Sequence, residues 1–428
     1  METRPGRGLG TAAVVEPARR VGQWWRRRRE HSRLHKLPEY QLHSGRHFDV
    51  LLHFPDLPVN LYQVRQWYGP LEQLSRQRSV AILCYEPETA EIIRRETSLP
   101  VLLTRGGLPD LEKVRTDHQP KVILYPNQNY TNFGILGLNT VQHAFICHGE
   151  SDKIYMSSNW MKVFNYDLVA GQAAKDRLSR RLFGYDVEAR TIEIGRPQID
   201  IEFQAPYTFD ESRKTVLYAP TWEGGRTSMR YGSVASHGLT MVSSLLADRR
   251  FRVIYRPHPR TGILLPQHRA ADLRIRELID VATASDPSAG HLVDDTPFGW
   301  QLKAADVMIT DISAVAYDWL TTAKPLIVTQ PIEPSAVVDQ GSFIGDLRLV
   351  TADEAHRIPE MADRALSDPE QIGRMRRWCA YYYGDTTPGA SMTRFINAIE
   401  RMIEERDGWV FQDHDVADEL AAIGPVAV

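Results

Sequence analysis

From residue 48 onward the chain alternates between short, mostly apolar β-rich runs and longer stretches with apolar residues every third or fourth position. The runs at 48–54, 80–84, 101–104, 121–125, 142–147, 166–170 and 191–194 read as strands. Intervening stretches over 62–71, 89–95, around 111 and over 173–182 read as helices. Strands apolar on both faces belong to a sheet covered on both sides, which calls for parallel order and helical crossovers. Gly195-Arg196-Pro197 then breaks the pattern, and the polar residues up to Lys214 carry no clear period, as a hinge or linker would. A second alternation follows, with strands at 215–219, 252–255, 292–293, 307–310 and 325–329. Its helices fall at 239–247, 299–304 and 314–321, and three more, 358–366, 370–379 and 391–404, close the chain. The expected fold class is α/β: two Rossmann-like, doubly wound domains with an interdomain cleft, an architecture of the GT-B type. The expected divisions are a basic, flexible segment 1–47, domains over 48–197 and 198–400, and an acidic tail 401–428 whose start can be helical.

Charge refines this picture. The net charge of -3 over 428 residues gives no case for a general nucleic-acid binder. Residues 1–47, however, hold eleven Lys/Arg against four Glu, a balance of +7 that leaves -10 for the rest. At the centre of this segment stand Trp24, Trp25, Arg26, Arg27, Arg28 and Arg29. Two indoles beside four guanidiniums suit an anionic membrane surface, with the rings at headgroup depth; a disordered basic leader has the same composition. The three cysteines, Cys84, Cys147 and Cys379, are widely separated and fit a reducing compartment. No apolar run reaches the length of a membrane span, and no signal core opens the chain. The expected location is cytoplasmic, with the basic segment able to bring the protein to the inner face of the membrane.

Candidate chemistry gathers where open α/β sheets place their ligands, just after the carboxyl ends of strands. His148 and Gly149 follow the run at 142–147, with Glu150, Asp152 and Lys153 in the same loop. A His there can present its imidazole while Gly turns the backbone, which makes His148 a candidate general base. Arg256 and His258, separated by Pro257, end the run at 252–255 and suit a diphosphate. Thr310, Asp311 and Ser313 lead from a buried strand straight into a helix; Ser313 reads as its N-cap, beside an anion-binding helix start. Thr296 with Pro297 reads as a second capped helix start. Thr221 and Trp222, before Gly224 and Gly225, can meet a ribose, a base or a transferred group. Asp294 and Asp295 resemble a DxD metal site only superficially, since they stand at what reads as a capped helix start. No Walker, dinucleotide or HExxH motif is present.

Taken in order, HGESDK, IGRPQID, LYAPTWEG, YRPHP, VDDTPFGWQLKAADVMITDISAVAYDW and YYYGDTTPGASMTRF resemble the CDP-glycerol:poly(glycerophosphate) glycerophosphotransferase family over about residues 140–400. The resemblance implies a phosphotransferase rather than a sugar transferase. An acceptor hydroxyl on a cell-envelope glycan or lipid-linked molecule attacks the β-phosphorus of a CDP-polyol, and CMP leaves. It implies His148 as the base, His258 with Arg256 at the donor diphosphate, and Thr310, Asp311 and Ser313 in the phosphate and nucleotide pocket. The domain over 48–197 becomes the acceptor domain and that over 198–400 the donor domain. No cofactor is required, and Mg²⁺ is compatible but not indicated. Ile312 and Ala314 stand where many members carry an aromatic residue and a serine. Two other classes remain open from the residues: a GT-B glycosyltransferase or epimerase using a UDP-sugar, and an inactive scaffold of an envelope-assembly complex.

Overall fold

The computed structural model describes residues 29–34, 37, 46–151, 154–209 and 211–423, with backbone only at 154–155 and 411–423. Thirteen strands form two sheets among them. The first sheet contains β1 (Val50–Phe54), β2 (Val80–Cys84), β3 (Val101–Leu103), β4 (Val122–Tyr125), β5 (Gln142–Phe145), β6 (Tyr166–Val169) and β7 (Thr191–Glu193). Its order is β3-β2-β1-β4-β5-β6-β7. The second contains β8 (Lys214–Ala219), β9 (Phe251–Tyr255), β10 (Leu292–Val293), β11 (Val307–Thr310), β12 (Leu326–Thr329) and β13 (Leu349–Val350). Its order is β10-β9-β8-β11-β12-β13. The ladders on both sides of β1 and β8 run parallel, in the register Val50↔Val80 and Val50↔Val122 for β1, and Val216↔Val253 and Val307↔Val216 for β8.

Both sheets are therefore Rossmann-like, as the apolar runs predict. Strands such as β1, β2, β4 and β9 are buried at every residue, because helices cover both faces. In the second sheet one face packs Leu217, Ile254, Met308 and Val328 with Trp319, and the other packs Val216, Val253 and Ile309 with Val242 and Ile275. The period-2 alternation of the pleat assigns neighbouring residues to opposite layers.

The chain forms two compact units. Of the described residues, one unit comprises those up to 148, 160–168 and those from 396 on; the other comprises those within 149–159 and 169–395. The last helix, Ala390–Ile423, runs well beyond the expected end at 404. Its acidic positions are used inside the first unit. Glu400 pairs with Arg78, Asp407 with Lys121 at 2.6 Å, and Glu405 accepts from Tyr166 Oη at 2.7 Å.

Two elements depart from expectation. A twenty-residue helix, Pro266–Ser285, buries only His268, Ile275 and Ile279, too sparse a stripe to stand out from a polar loop. Thr296 does not cap a helix: residues 296–298 form a turn, and the helix starts at Trp300 after Gly299. Asp294 takes both the N–H and the hydroxyl of Thr296, at 3.0 and 2.6 Å, which closes that turn locally.

Candidate active site

In each sheet the strand order reverses beside a central strand, between β1 and β4 and between β8 and β11. Loops diverge there, and open α/β sheets leave a crevice at such switch points.

On the first sheet, β5 runs out at Phe145 and Cys147 takes a left-handed φ of 54°, its carbonyl accepting from Trp67 Nε1 at 2.6 Å. Gly149 follows at φ +155°, a value that side chains disfavour. Between them His148 Nδ1 lies 2.8 Å from the carbonyl oxygen of Pro126, just past β4, and its ring meets the edge of Tyr62 at 5.7 Å. A carbonyl only accepts, so Nδ1 carries the proton and the lone pair is on Nε2. Asp56, after β1, accepts from Asn127 and from Asn129 Nδ2 at 2.8 Å, joining the loops of the two strands at the switch point. The sequence neighbour Glu150 forms a buried ion pair with Arg177 at 2.6 Å, so it is a strut rather than a reactive acid. Lys153 and Asp152 lie outside the described residues, as do Trp24, Trp25, Arg26, Arg27 and Arg28; Arg29 is exposed.

The second sheet builds its edge around three buried carboxylates. Asp311, after β11, is fully buried. Its Oδ2 accepts from the N–H groups of Thr221 at 2.8 Å and Ser233 at 3.1 Å, and its Oδ1 accepts from the Thr329 hydroxyl. Burial pushes its pKa up to about 6, against the pull of those hydrogen bonds. Glu223, also fully buried, accepts from the N–H groups of Gly262, Leu264 and Leu265 at 2.9, 2.8 and 3.1 Å. Burial alone would raise its pKa, but these bonds outweigh it and the carboxyl is held below its ordinary value. Asp294 accepts from Arg256 Nη1 at 2.9 Å and Gln301 Nε2 at 2.6 Å, besides Thr296. Asp295 pairs with Arg276 at 3.1 Å. Gly224, at φ +73°, is needed because a Cβ would sit 2.3 Å from the Met229 carbonyl oxygen.

These struts hold the rim. His258 stacks on Trp222 with centroids 6.3 Å apart, and the Arg260 guanidinium lies 4.0 Å over the same indole. His258 Nδ1 accepts from the Arg260 N–H at 3.1 Å, so the proton sits on Nε2, which is a donor. Burial, reinforced by Arg260 and Arg256 and opposed by Glu223, lowers the His258 pKa to about 4. At neutral pH His258 is thus an uncharged hydrogen-bond donor. Arg256 also donates to the Thr296 carbonyl at 2.5 Å and faces Phe298, so its fork is directed by Asp294. Thr310 is buried, its hydroxyl spent on the Ala219 carbonyl at 2.6 Å and within 3.3 Å of Ser313 Oγ. Ser313 occupies the N-cap position of Ala314–Leu320 without a capping side-chain bond.

The structure thus gathers Thr221, Trp222, Arg256, His258, Thr296, Thr310, Asp311 and Ser313 at one sheet edge. It places His148 and Gly149 at the switch point of the other. Thr310 and Asp311 serve there as buried fasteners. Glu223 and Arg260 were not singled out from the sequence. The signal for Glu223 was an acid inside an apolar strand-end loop, and Arg260 stood two residues beyond His258.

Two Rossmann-like sheets with polar side chains collected at strand ends make this an α/β protein of the GT-B class. Residues 137–332 match the family model described as CDP-glycerol:poly(glycerophosphate) glycerophosphotransferase. The resemblance seen in the motifs is borne out over that segment. Among solved structures, the wall teichoic acid polymerase TagF is similar at 14% identity and TM-score 0.54, over 93% of this chain and 99% of that one. A UDP-N-acetylglucosamine 2-epimerase is similar at 14% identity and TM-score 0.54, over 82% and 95%. The MnaA protein of S. aureus, solved with UDP, is similar at 13% identity and TM-score 0.50, over 83% and 97%. At these identities the likeness concerns the fold. No curated protein matches the chain. Among the described residues, no helix is long and apolar enough to cross a membrane.

Proposed function

We propose that the protein transfers a polyol phosphate, glycerol phosphate first, from a CDP-polyol to a hydroxyl of a cell-envelope glycan or lipid-linked acceptor. In this reaction the acceptor oxygen bonds to the β-phosphorus. The bond from that phosphorus to the bridging oxygen breaks, and CMP leaves with the electron pair. The hydroxyl proton passes to His148 Nε2.

The observation that carries the proposal is the opposite tautomers of the two histidines. The Pro126 carbonyl puts the lone pair of His148 on Nε2, as a base requires. The Arg260 N–H puts the proton of His258 on Nε2, as a ligand for a diphosphate oxygen requires. Phosphoryl transfer rests mostly on such positioning and charge neutralisation. In this reading Arg256, Arg260 and Ser313 join His258 at the phosphates, and Thr221 with Trp222 faces the nucleoside or the transferred group. Thr296, Thr310 and Asp311 position them. Gly149 and Lys153 belong to the acceptor side. Exposed Tyr62, Tyr130 and Phe133 on the same edge as His148 suit an acceptor with an apolar carrier. The reading keeps the enzyme in the cytoplasm, with Trp24 to Arg29 on an anionic membrane surface; co-sedimentation with anionic but not neutral vesicles is the expected result.

The protein incubated with acceptor extract and CDP-glycerol, CDP-ribitol or UDP-N-acetylglucosamine should release CMP from a CDP-polyol. Release of UDP alone would overturn the proposal in favour of a sugar-nucleotide enzyme, and release of neither nucleotide would favour a scaffold.

A further inference from the structure

Away from the strand-end loops, the second unit contains a groove of about 460 Å³. Its main wall is the helix Pro369–Tyr383, which contributes Arg374, Arg377, Trp378 and Tyr381. These positions follow i, i+3, i+4 and i+7 spacing, a single helix face that surface helices ordinarily fill with apolar side chains. Arg180, from the helix Gln172–Arg181, also lines the groove. Ala173 and Gly341 leave the volume open by having almost no side chain.

Charge in the groove is unbalanced. Its lone lining carboxylate, Asp346, already accepts from Trp378 Nε1 at 2.8 Å and lies 3.8 Å from Arg374 Nε. Arg374 is further occupied by Glu370 at 3.1 Å. Arg180 donates to the backbone oxygen of Asp176 at 3.1 Å and lies within the field of the Asp176 carboxylate, which accepts from Tyr381 Oη at 2.6 Å. Arg377 has no ion pair or hydrogen bond among the described residues. Two guanidiniums that form no close ion pair among the described residues, held near an indole and a phenol in a recess, raise the local anion concentration and offer forked donors to a phosphate. The volume lies within the range of small-ligand sites.

We propose that this groove is a second anion site that takes a phosphate ester. The phosphate would meet Arg180 and Arg377, and its organic part would lie against Trp378 and Tyr381. It shares no residue with the transfer site and stands whether or not the proposed reaction does.

The test is arginine modification of the full-length protein by phenylglyoxal, mapped by mass spectrometry. Exposed Arg376, next to Arg377 but outside the lining, is an internal control. Millimolar glycerol 3-phosphate should slow modification of Arg377 and Arg180 by about threefold, the mass-action result for ligand at about twice its Kd, and leave Arg376 unchanged. Equal slowing of all three, no slowing, or the same effect from sodium chloride at matched ionic strength would overturn the proposal. Arg377→Gln should remove much of the protection of Arg180; full retention of that protection also overturns it. A bis-glycerol phosphate diester tells the two sources apart. Protection by the diester points to a polyol-phosphate chain, and protection by the monoester alone points to a free phosphorylated metabolite.

Discussion

The two sheets share one strand order around their central strands, yet their carboxyl edges are made of different materials. The first is joined by amides and one partly exposed acid, Asp56, and its histidine is oriented by a backbone carbonyl. The second is joined by Glu223, Asp294 and Asp311, each essentially buried. A buried carboxylate that accepts several N–H groups fixes loops firmly and also carries negative charge beneath the rim. That arrangement suits an edge whose outward groups are Arg256, Arg260 and a neutral His258. An edge that activates a neutral hydroxyl needs no such field. In the proposed reaction the same scaffold serves two tasks through its loops alone.

The sharpest break of this comparison is chemical. In the proposed reaction His148→Ala removes the base, so kcat should fall by roughly 10²–10⁴-fold. The donor KM should stay within about twofold, since the lost interaction acts on the acceptor proton. Steady-state CMP release measures both. A variant with wild-type kcat would remove His148 from the mechanism.

The next effect is structural and sets the two acids against each other. Asp311→Ala leaves the N–H groups of Thr221 and Ser233 and the Thr329 hydroxyl without their acceptor in a fully buried place. The expected loss in urea unfolding is about 3 kcal/mol. Asp56→Ala releases the partly exposed side-chain amides of Asn60 and Asn129, while the buried amide of Asn127 keeps Gln63 Oε1 at 2.8 Å, so about 1 kcal/mol should be lost. Equal losses would erase the distinction between the edges.

How much of this was legible in the sequence follows from the range of each interaction. Strand positions showed because burial on both faces leaves a largely apolar run, and β10 and β11 fall where the runs place them. The loops bearing His148 and His258 showed because they begin where such runs stop. Asp311 could be located but not understood: its partners Thr221 and Ser233 are 90 and 78 residues away, and nothing local marks an acid as a fastener. Asp294 misled in the opposite sense. Asp-Thr-Pro has the composition of a helix start, but the acid closes on Thr296 and also holds Arg256 and Gln301, which delays the helix to Trp300. The two-residue β13 is too short to carry a period.

The smallest effect concerns the proton on His258. An ordinary histidine titrates near 6.5, whereas this one is held at about 4 by burial, with Arg260 and Arg256 adding to the effect. Between those values the unfolded chain binds the proton and the folded chain does not. His258 therefore contributes stability above about pH 6.5 that is lost as pH falls towards 4. Asp311 has the opposite sign: its folded pKa of about 6 lies above the unfolded value near 3.9, so falling pH favours the folded state over that window. Burial also lowers the pKa of other histidines, His237 and His291 among them, so the informative quantity is a difference. His258→Asn keeps an oxygen able to accept the Arg260 N–H but has no titration. The stability of the wild type minus that of the variant, from urea unfolding, should shrink between pH 7 and pH 5. Over the same interval the donor KM of the wild type should stay flat as far as His258 controls it, because its ring remains neutral to about pH 5. A constant stability difference would mean that His258 titrates like an exposed histidine, and the contrast between a base on one edge and a permanently neutral donor on the other would collapse.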